Sequence, residues 1–291
     1  MNKELTAAQA IARIESGMTL GIGGWGPRRK PMALVRELLR SDVKDLTVVA
    51  YGGPEVGMLC AAGKVKKLVY GFVTMDAIPL EPHFRKAREA GAFEVEEYDE
   101  GMFEWGLRAA GMRMSFLPTR CGLATDVLAR NPALKTIASP YDDGEVYVAM
   151  PAIKLDVALL HVNEADRWGN TLNRGGDPLF DHLFARAAER CFVSTERLQD
   201  RLSLSRDDAR FNFFERYLVT GVVHAPGGAH PTYLDPDYGW DLDHLKRYNA
   251  SATDEGGWAG YRGEFIDGDE AAYQARIGGA ERLAKLRRPV F

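Results

Sequence analysis

The stretch Gly21-Ile22-Gly23-Gly24-Trp25-Gly26-Pro27-Arg28-Arg29-Lys30-Pro31 decides how the chain is read. The apolar run Met18 to Ile22 that leads into it has the character of a short buried strand. Its glycines permit positive φ and let the backbone approach a neighbour closely, so a turn here is expected to leave amide N–H groups free. Met32 to Leu39 then has helical spacing, with Pro31 suited to a first-turn position. Those amides would lie between a strand's carboxyl end and a helix N-terminus, a place that stabilises anions and developing oxyanions. Arg28, Arg29 and Lys30 add positive charge, so the candidate binding set is Gly23, Gly24, Trp25, Gly26, Arg28, Arg29 and Lys30. A plain strand-to-helix turn needs the same small residues, and the same three bases also suit a solvated helix start.

Outward from this turn the pattern repeats. Thr6 to Glu15 reads as an amphipathic helix before the first strand. After the helix to Leu39 come the strand Leu46 to Tyr51, closed by Gly52-Gly53, a helical stretch from Val56 to Ala62, and the strand Lys66 to Phe72. Such alternation predicts a parallel sheet with helices on both faces and a ligand at the strands' carboxyl ends. Helical residues His83 to Ala90 lead into the alternating Phe93 to Tyr98, and Asp99-Glu100-Gly101 opens a helix from Met102 to Met112. A carboxylate at that junction would be held ionised by the helix N-terminus, ready as base or nucleophile. From spacing alone, an ordinary acidic first-turn residue is the better fit. Phe116-Leu117, Val146 to Ala149, Asp156 to Val162, Arg190 to Ser194 and Leu218 to Val223 read as further strands, with Asp156 to Val162 central because it is nearly all apolar. Asp181 to Ala188 reads as a helix. Beyond Tyr233 the residues are rich in Asp, Gly, Tyr and Trp, with one helix near Glu270 to Leu286.

The expected architecture is therefore α/β, a three-layer α/β/α arrangement with a mostly parallel sheet. Residues 1–232 form the main domain, and residues 233–291 form a C-terminal extension laid on it or on a partner. With 291 residues and 46% apolar composition the chain can bury a full core. A net charge of −4 gives no basic field for nucleic acid. No apolar stretch reaches membrane-spanning length and Asn2 to Gly17 lacks a signal-peptide core, which points to a cytoplasmic protein with no membrane partner. Cys60, Cys121 and Cys191 suit reduced, buried thiols, and His161 and His182 lack neighbours at ligand spacing, so no metal is expected. A dinucleotide-binding reading of the glycines is disfavoured, because the second strand ends Ala50-Tyr51-Gly52-Gly53, without the acidic residue which that fingerprint carries there.

Several ordered segments resemble the alpha (A) subunits of class I coenzyme A transferases, especially the glutaconate type. These are the Gly-Met-Thr-Leu strand running into Gly-Gly-Trp-Gly; Ala62-Gly63-Lys64-Val65-Lys66-Lys67; Glu94 to Gly101; Ala165-Asp166-Arg167-Trp168-Gly169-Asn170; and Gly228-Ala229-His230-Pro231-Thr232. The resemblance spans the first helix to Thr232 and implies pairing with a homologous beta subunit, as an α2β2 heterotetramer, with the active site between the chains. It also implies that a transferase's nucleophilic glutamate lies on the beta subunit. The oxoacid transferases carry a neutral Gln-Gly pair where this chain has Glu100-Gly101, and a small residue near Arg120. Glu100 and Arg120 make the chain similar instead to alpha subunits of the ring-cleaving hydrolases of actinobacterial steroid degradation.

That resemblance implies hydrolytic cleavage of a carbon–carbon bond in a cyclic β-diketone-like thioester. Glu100 would act as general base, and Arg120 would orient it or stabilise an enolate. The Gly23 to Gly26 amides would hold oxyanion charge, and the basic trio would attract coenzyme A phosphates. Coenzyme A would enter as part of the acyl-CoA substrate, with no tightly bound cofactor. The alternative is an alpha subunit that moves coenzyme A between carboxylic acids.

Overall fold

Among the described residues nine strands build one sheet, and the helices between them cover both its faces. The computed structural model describes residues 2–78, 80–253 and 256–289. In chain order the first half comprises β1 (Glu4–Leu5), α1 (Ala7–Ile11), β2 (Thr19–Trp25), α2 (Met32–Arg40), β3 (Leu46–Gly52), α3 (Pro54–Ala61), β4 (Val65–Val73), α4 (Pro82–Glu89), β5 (Glu94–Glu97) and α5 (Glu100–Gly111). Next come β6 (Phe116–Thr119), α6 (Asp126–Arg130), β7 (Lys135–Ala138), β8 (Val146–Pro151), β9 (Leu155–Asp166), β10 (Thr171–Leu172), α7 (Asp181–Ala187), β11 (Ala188–Gln199) and β12 (Val219–His224). Helices α8 (Leu242–Ala250), α9 (Gly257–Phe265), α10 (Glu270–Arg276) and α11 (Gly279–Leu283) form the tail.

The strand order is β1-β12-β11-β9-β2-β3-β4-β5, with every neighbouring pair parallel, and the short β10 runs antiparallel to β9. The α/β class and the central place of Asp156 to Val162 are as the sequence predicts. Successive residues of β9 serve opposite layers. Val157 and Leu159 join the core under α1, α2, α3 and the tail, whereas Ala158 and Leu160 join the core under α5 and α7. That double burial explains the unbroken apolar run.

The structure corrects two of the expected elements. Phe116 and Val146 to Ala149 are not in the parallel sheet; β6, β8 and β7 make a separate three-stranded antiparallel sheet. The burial of β8 alternates, as befits a sheet covered on one face. The single helix near Glu270 to Leu286 is instead two, α10 and α11, broken at Gly278 and Gly279, whose φ angles of 82° and 58° lie in the left-handed region. All three cysteines are free thiols, and Cys121 lies exposed where burial was expected. Among the described residues no helix is long and apolar enough to cross a membrane.

Candidate active site

β2 does not stop before the glycines but runs through them to Trp25. Its register with β3 jumps from Ile22 opposite Ala50 to Trp25 opposite Tyr51, so Gly23 and Gly24 form a bulge. Gly24 has φ +75°, and a Cβ there would lie 2.3 Å from the Arg28 carbonyl oxygen. Only glycine fits that approach.

The turn's amides are not free, which corrects the reading of this stretch as an open oxyanion cradle. Gly24 N–H donates to Asp181 Oδ1 at 2.8 Å. Trp25 N–H donates to the Arg28 carbonyl, and Gly26 N–H to the Tyr51 carbonyl, each at 3.1 Å. The start of α2 is closed too, because the loop after β12 folds over it. Lys30 N–H donates to Thr232 Oγ1, Arg29 N–H to the Tyr233 carbonyl and Ala33 N–H to the Gly228 carbonyl. Buried backbone donors need partners, and here the protein supplies them. Gly23, Gly24 and Gly26 are all buried in consequence.

The basic trio divides in the same way. Lys30 is 0% exposed and donates to Glu55 Oε1 at 2.8 Å, the Tyr51 carbonyl at 2.6 Å and the Gly24 carbonyl at 3.3 Å. Burial pushes its ammonium pKa down and that of Glu55 up, and the attraction between the two opposes both shifts. Arg29, 4% exposed with a left-handed φ of 47°, spans the Asp177 and Pro178 carbonyls and Asp181. Both cations are engaged by internal partners, where the sequence-based set offers them to a phosphate. Arg28 is half-buried, lying 4.6 Å over the Trp25 ring and 3.4 Å from Asp76. With Arg29, Tyr233, Asp235 and Arg288 of the tail it lines a cavity of about 360 Å³.

Glu100 is the first residue of α5, exposed, on a helix whose N-cap is Asp99, the acceptor of the Met102 N–H. Among the described residues no hydrogen bond or ion pair engages its carboxylate. The next residue, Gly101, sits against the turn after β6: a Cβ on it would lie 2.6 Å from Cys121 Sγ. The Glu100-Gly101 and Arg120-Cys121 pairs thus adjoin. Arg120 nevertheless does not orient Glu100 in this chain; it is 71% exposed and its guanidinium pairs with Glu145 at 3.1 Å.

What joins Glu100 to the glycine turn is Tyr51. Its hydroxyl donates to the Glu100 carbonyl at 3.1 Å, while its own carbonyl receives the Gly26 and Lys30 donors. Its ring packs against Phe103 at 4.4 Å, Phe180 at 5.0 Å and Phe72 at 5.7 Å, and Phe72 also meets Trp25 at 4.6 Å. Sequence reading passed over Tyr51, Glu55 and Asp181. For Tyr51 the available signal was an aromatic residue ending the strand beside the bulged turn.

One cluster among the described residues has metal-ligand composition: His230, Asp241 and His244, all buried. Its polar atoms already serve one another. Asp241 accepts from His244 N–H, bonds His230 Nε2 and pairs with Arg282, while Tyr273 and Tyr261 hydroxyls hold the two imidazoles. The guanidinium disfavours a second cation there. His161 is likewise internal, bonded to Ser194 and Glu196.

Residues 4–219 match the model of the coenzyme A transferase family. The chain belongs to that family. It is 48% identical over 95% of its length, and 96% of the relative's, to the cholesterol ring-cleaving hydrolase IpdA subunit of Rhodococcus jostii. It is 30% identical to the A-type subunit of glutaconate CoA-transferase from Acidaminococcus fermentans, over 99% of this chain and 95% of the other. The crystal structure of glutaconate coenzyme A-transferase from that organism superposes with a TM-score of 0.90 at 28% identity, covering 98% of this chain and 95% of that one. The coenzyme A transferase match ends at residue 219, but the structural one takes in the tail, so α8 to α11 belong to the shared architecture. Both of these relatives are named as subunits.

Proposed function

We propose that this chain is the alpha subunit of a cytoplasmic α2β2 hydrolase that opens a carbocyclic ring of a steroid-derived coenzyme A thioester, with Glu100 as general base. The observation that carries it is the 48% identity along nearly the whole chain to a subunit named as a cholesterol ring-cleaving hydrolase. The exposed, unpaired carboxylate at the start of α5 supports the residue assignment. Glu100 takes a proton from water, and the resulting hydroxide adds to a ring carbonyl of a β-diketone-like substrate. The bond to the adjacent ring carbon then breaks. Its electron pair passes into the second carbonyl as an enolate, which the protonated Glu100 or water quenches, leaving a new carboxylate. Arg120, carried on the turn beside Gly101, exchanges Glu145 for the enolate oxygen once substrate and beta subunit close the site. No tightly bound cofactor is required. Coenzyme A arrives with the substrate, and its phosphates meet Arg28 and Arg288 at the cavity beside the turn, since Arg29 and Lys30 are turned inward.

The 30% identity to a glutaconate CoA-transferase subunit favours a second reading, transfer of coenzyme A between carboxylic acids with the nucleophile on the beta subunit. One experiment separates them. The reconstituted two-chain complex is given the thioester in ¹⁸O-water, with and without an acceptor carboxylate. Hydrolytic ring opening proceeds without acceptor and places one ¹⁸O in the product, and Glu100→Ala lowers kcat on the order of a hundredfold. Turnover that demands an acceptor and leaves the product unlabelled would establish transfer; Glu100→Ala within about twofold of the parent excludes the base role.

A further inference from the structure

We infer that Tyr51 is a positioning residue for Glu100, fastening the start of α5 to the glycine turn so that the base and the carboxyl end of β2 keep one register. Tyr51 is fixed at both ends. Its main chain lies in β3 between β2 and β4, with its carbonyl holding Gly26 N–H at 3.1 Å and Lys30 Nζ at 2.6 Å. Its ring is 0% exposed and enclosed by Phe72, Phe103, Phe180 and Phe184. A tyrosine so enclosed has no rotamer freedom left, and its hydroxyl reaches a single point, the Glu100 carbonyl at 3.1 Å. Burial raises the phenol pKa above its ordinary value, so the hydroxyl stays a donor at every working pH. The Glu100 carbonyl has two lone pairs, which allows it to accept from Tyr51 as well as from within the helix. The bond therefore costs α5 nothing and sets where its first residue sits.

A helix terminus held only by its own cap frays, and a base displaced by about 1 Å can lose on the order of a hundredfold in rate. Lys30 extends the link. Its ammonium ties the Tyr51 carbonyl to Gly24 and Glu55, so one buried chain of contacts runs from the bulge to the start of α5. This explains why a lysine is buried in the turn at all.

The inference rests on Glu100 being the base, and the test keeps the two apart. Tyr51→Phe keeps the ring and removes only the donor. In the reconstituted complex it should lower kcat roughly tenfold with KM for the thioester within about twofold, less than the loss from a full 1 Å displacement. Deuterium uptake by the peptide spanning residues 99–107 should rise at the same time. Tyr70→Phe, which removes another half-buried hydroxyl bond, to Glu97, should leave both readouts at parental values. Parental kcat in Tyr51→Phe, with Glu100→Gln inactive, overturns the positioning role alone. Parental kcat in Glu100→Gln overturns the base assignment instead, and unchanged uptake in Tyr51→Phe overturns the claim that the hydroxyl fastens the helix.

Discussion

Lys30 shows how a charged residue in a binding-like sequence becomes part of the interior. Each of its three protons has an acceptor, and the Glu55 carboxylate has the Gly53 N–H as well as the ammonium. Removing one member of such a pair strands the other in a medium that solvates it poorly. Lys30→Met should destabilise the protein by about 3–5 kcal/mol in urea unfolding, and adding Glu55→Leu should restore most of it. Equal midpoints for single and double variants would show that the pair does not hold the turn. The same residues mark the limit of what could be read in advance. The sequence placed the glycine turn, the helix after it and Glu100 at a strand-to-helix junction, because these follow from local φ demands and spacing. It could not place Lys30 and Arg29, because their counter-charges, Glu55 and Asp181, lie on α3 and α7. Nor could it show that Asp181 and the Tyr51 carbonyl close the amides of the turn. Arg28-Arg29-Lys30 reads as charge offered to a ligand, and only packing shows two of the three turned inward.

The elements that were legible are those whose apolar residues run unbroken or recur at helical spacing. β3, β9 and β12 carry the dense β-branched and leucine runs of strands buried on both faces, and α2 has a clear apolar stripe. The antiparallel β6-β8-β7 sheet was not legible as a separate unit, since short half-exposed strands look alike whichever sheet they join. The cap of α4 carries a consequence that spacing could not announce. Glu81 accepts the Phe84 N–H through Oε2, and its carboxylate is buried against Gly57 of α3 and near the Tyr248 hydroxyl. Burial pushes its pKa up from the usual carboxylate range to about 7, with the nearby Glu55 carboxylate adding to the shift. The native state therefore holds this proton where the unfolded chain has released it. Stability from this group is fully present below the unfolded pKa of about 4.5 and is lost as pH rises through about 7, a total of about 3 kcal/mol. Glu81→Gln mimics the protonated acid and should flatten that fall between pH 4.5 and 7 in urea midpoints. Parallel pH profiles for variant and parent would mean that Glu81 ionises in the fold as it does in water.

At the scale of the whole molecule, the tail is built into the layer that supports the glycine turn. Tyr248, Tyr261, Phe265, Tyr273, Ile277 and Leu283 share one core with α1, α2 and α3, although their spacing in sequence gives no single amphipathic stripe. The join is polar as well as apolar. Arg36 of α2 is 2% exposed, lies 3.6 Å over the Tyr273 ring, forks onto both oxygens of Glu270 and donates to the His230 carbonyl. Because α2 begins where the turn ends, this one guanidinium ties α10 to the helix that fixes the turn. A fork of that geometry is lost as a unit, leaving the cation buried beside its aromatic neighbour. Glu270→Ala should therefore destabilise the protein by about 3 kcal/mol and speed trypsin cleavage at Arg276 and Arg282. The exposed Glu281–Lys285 pair one helix further on is the control. Glu281→Ala should leave the cleavage rate unchanged, because water solvates both of its charges in either state. If Glu270→Ala and Glu281→Ala were cut at the same rate, the Arg36–Glu270 fork would not be what holds the tail, and the turn would not depend on it.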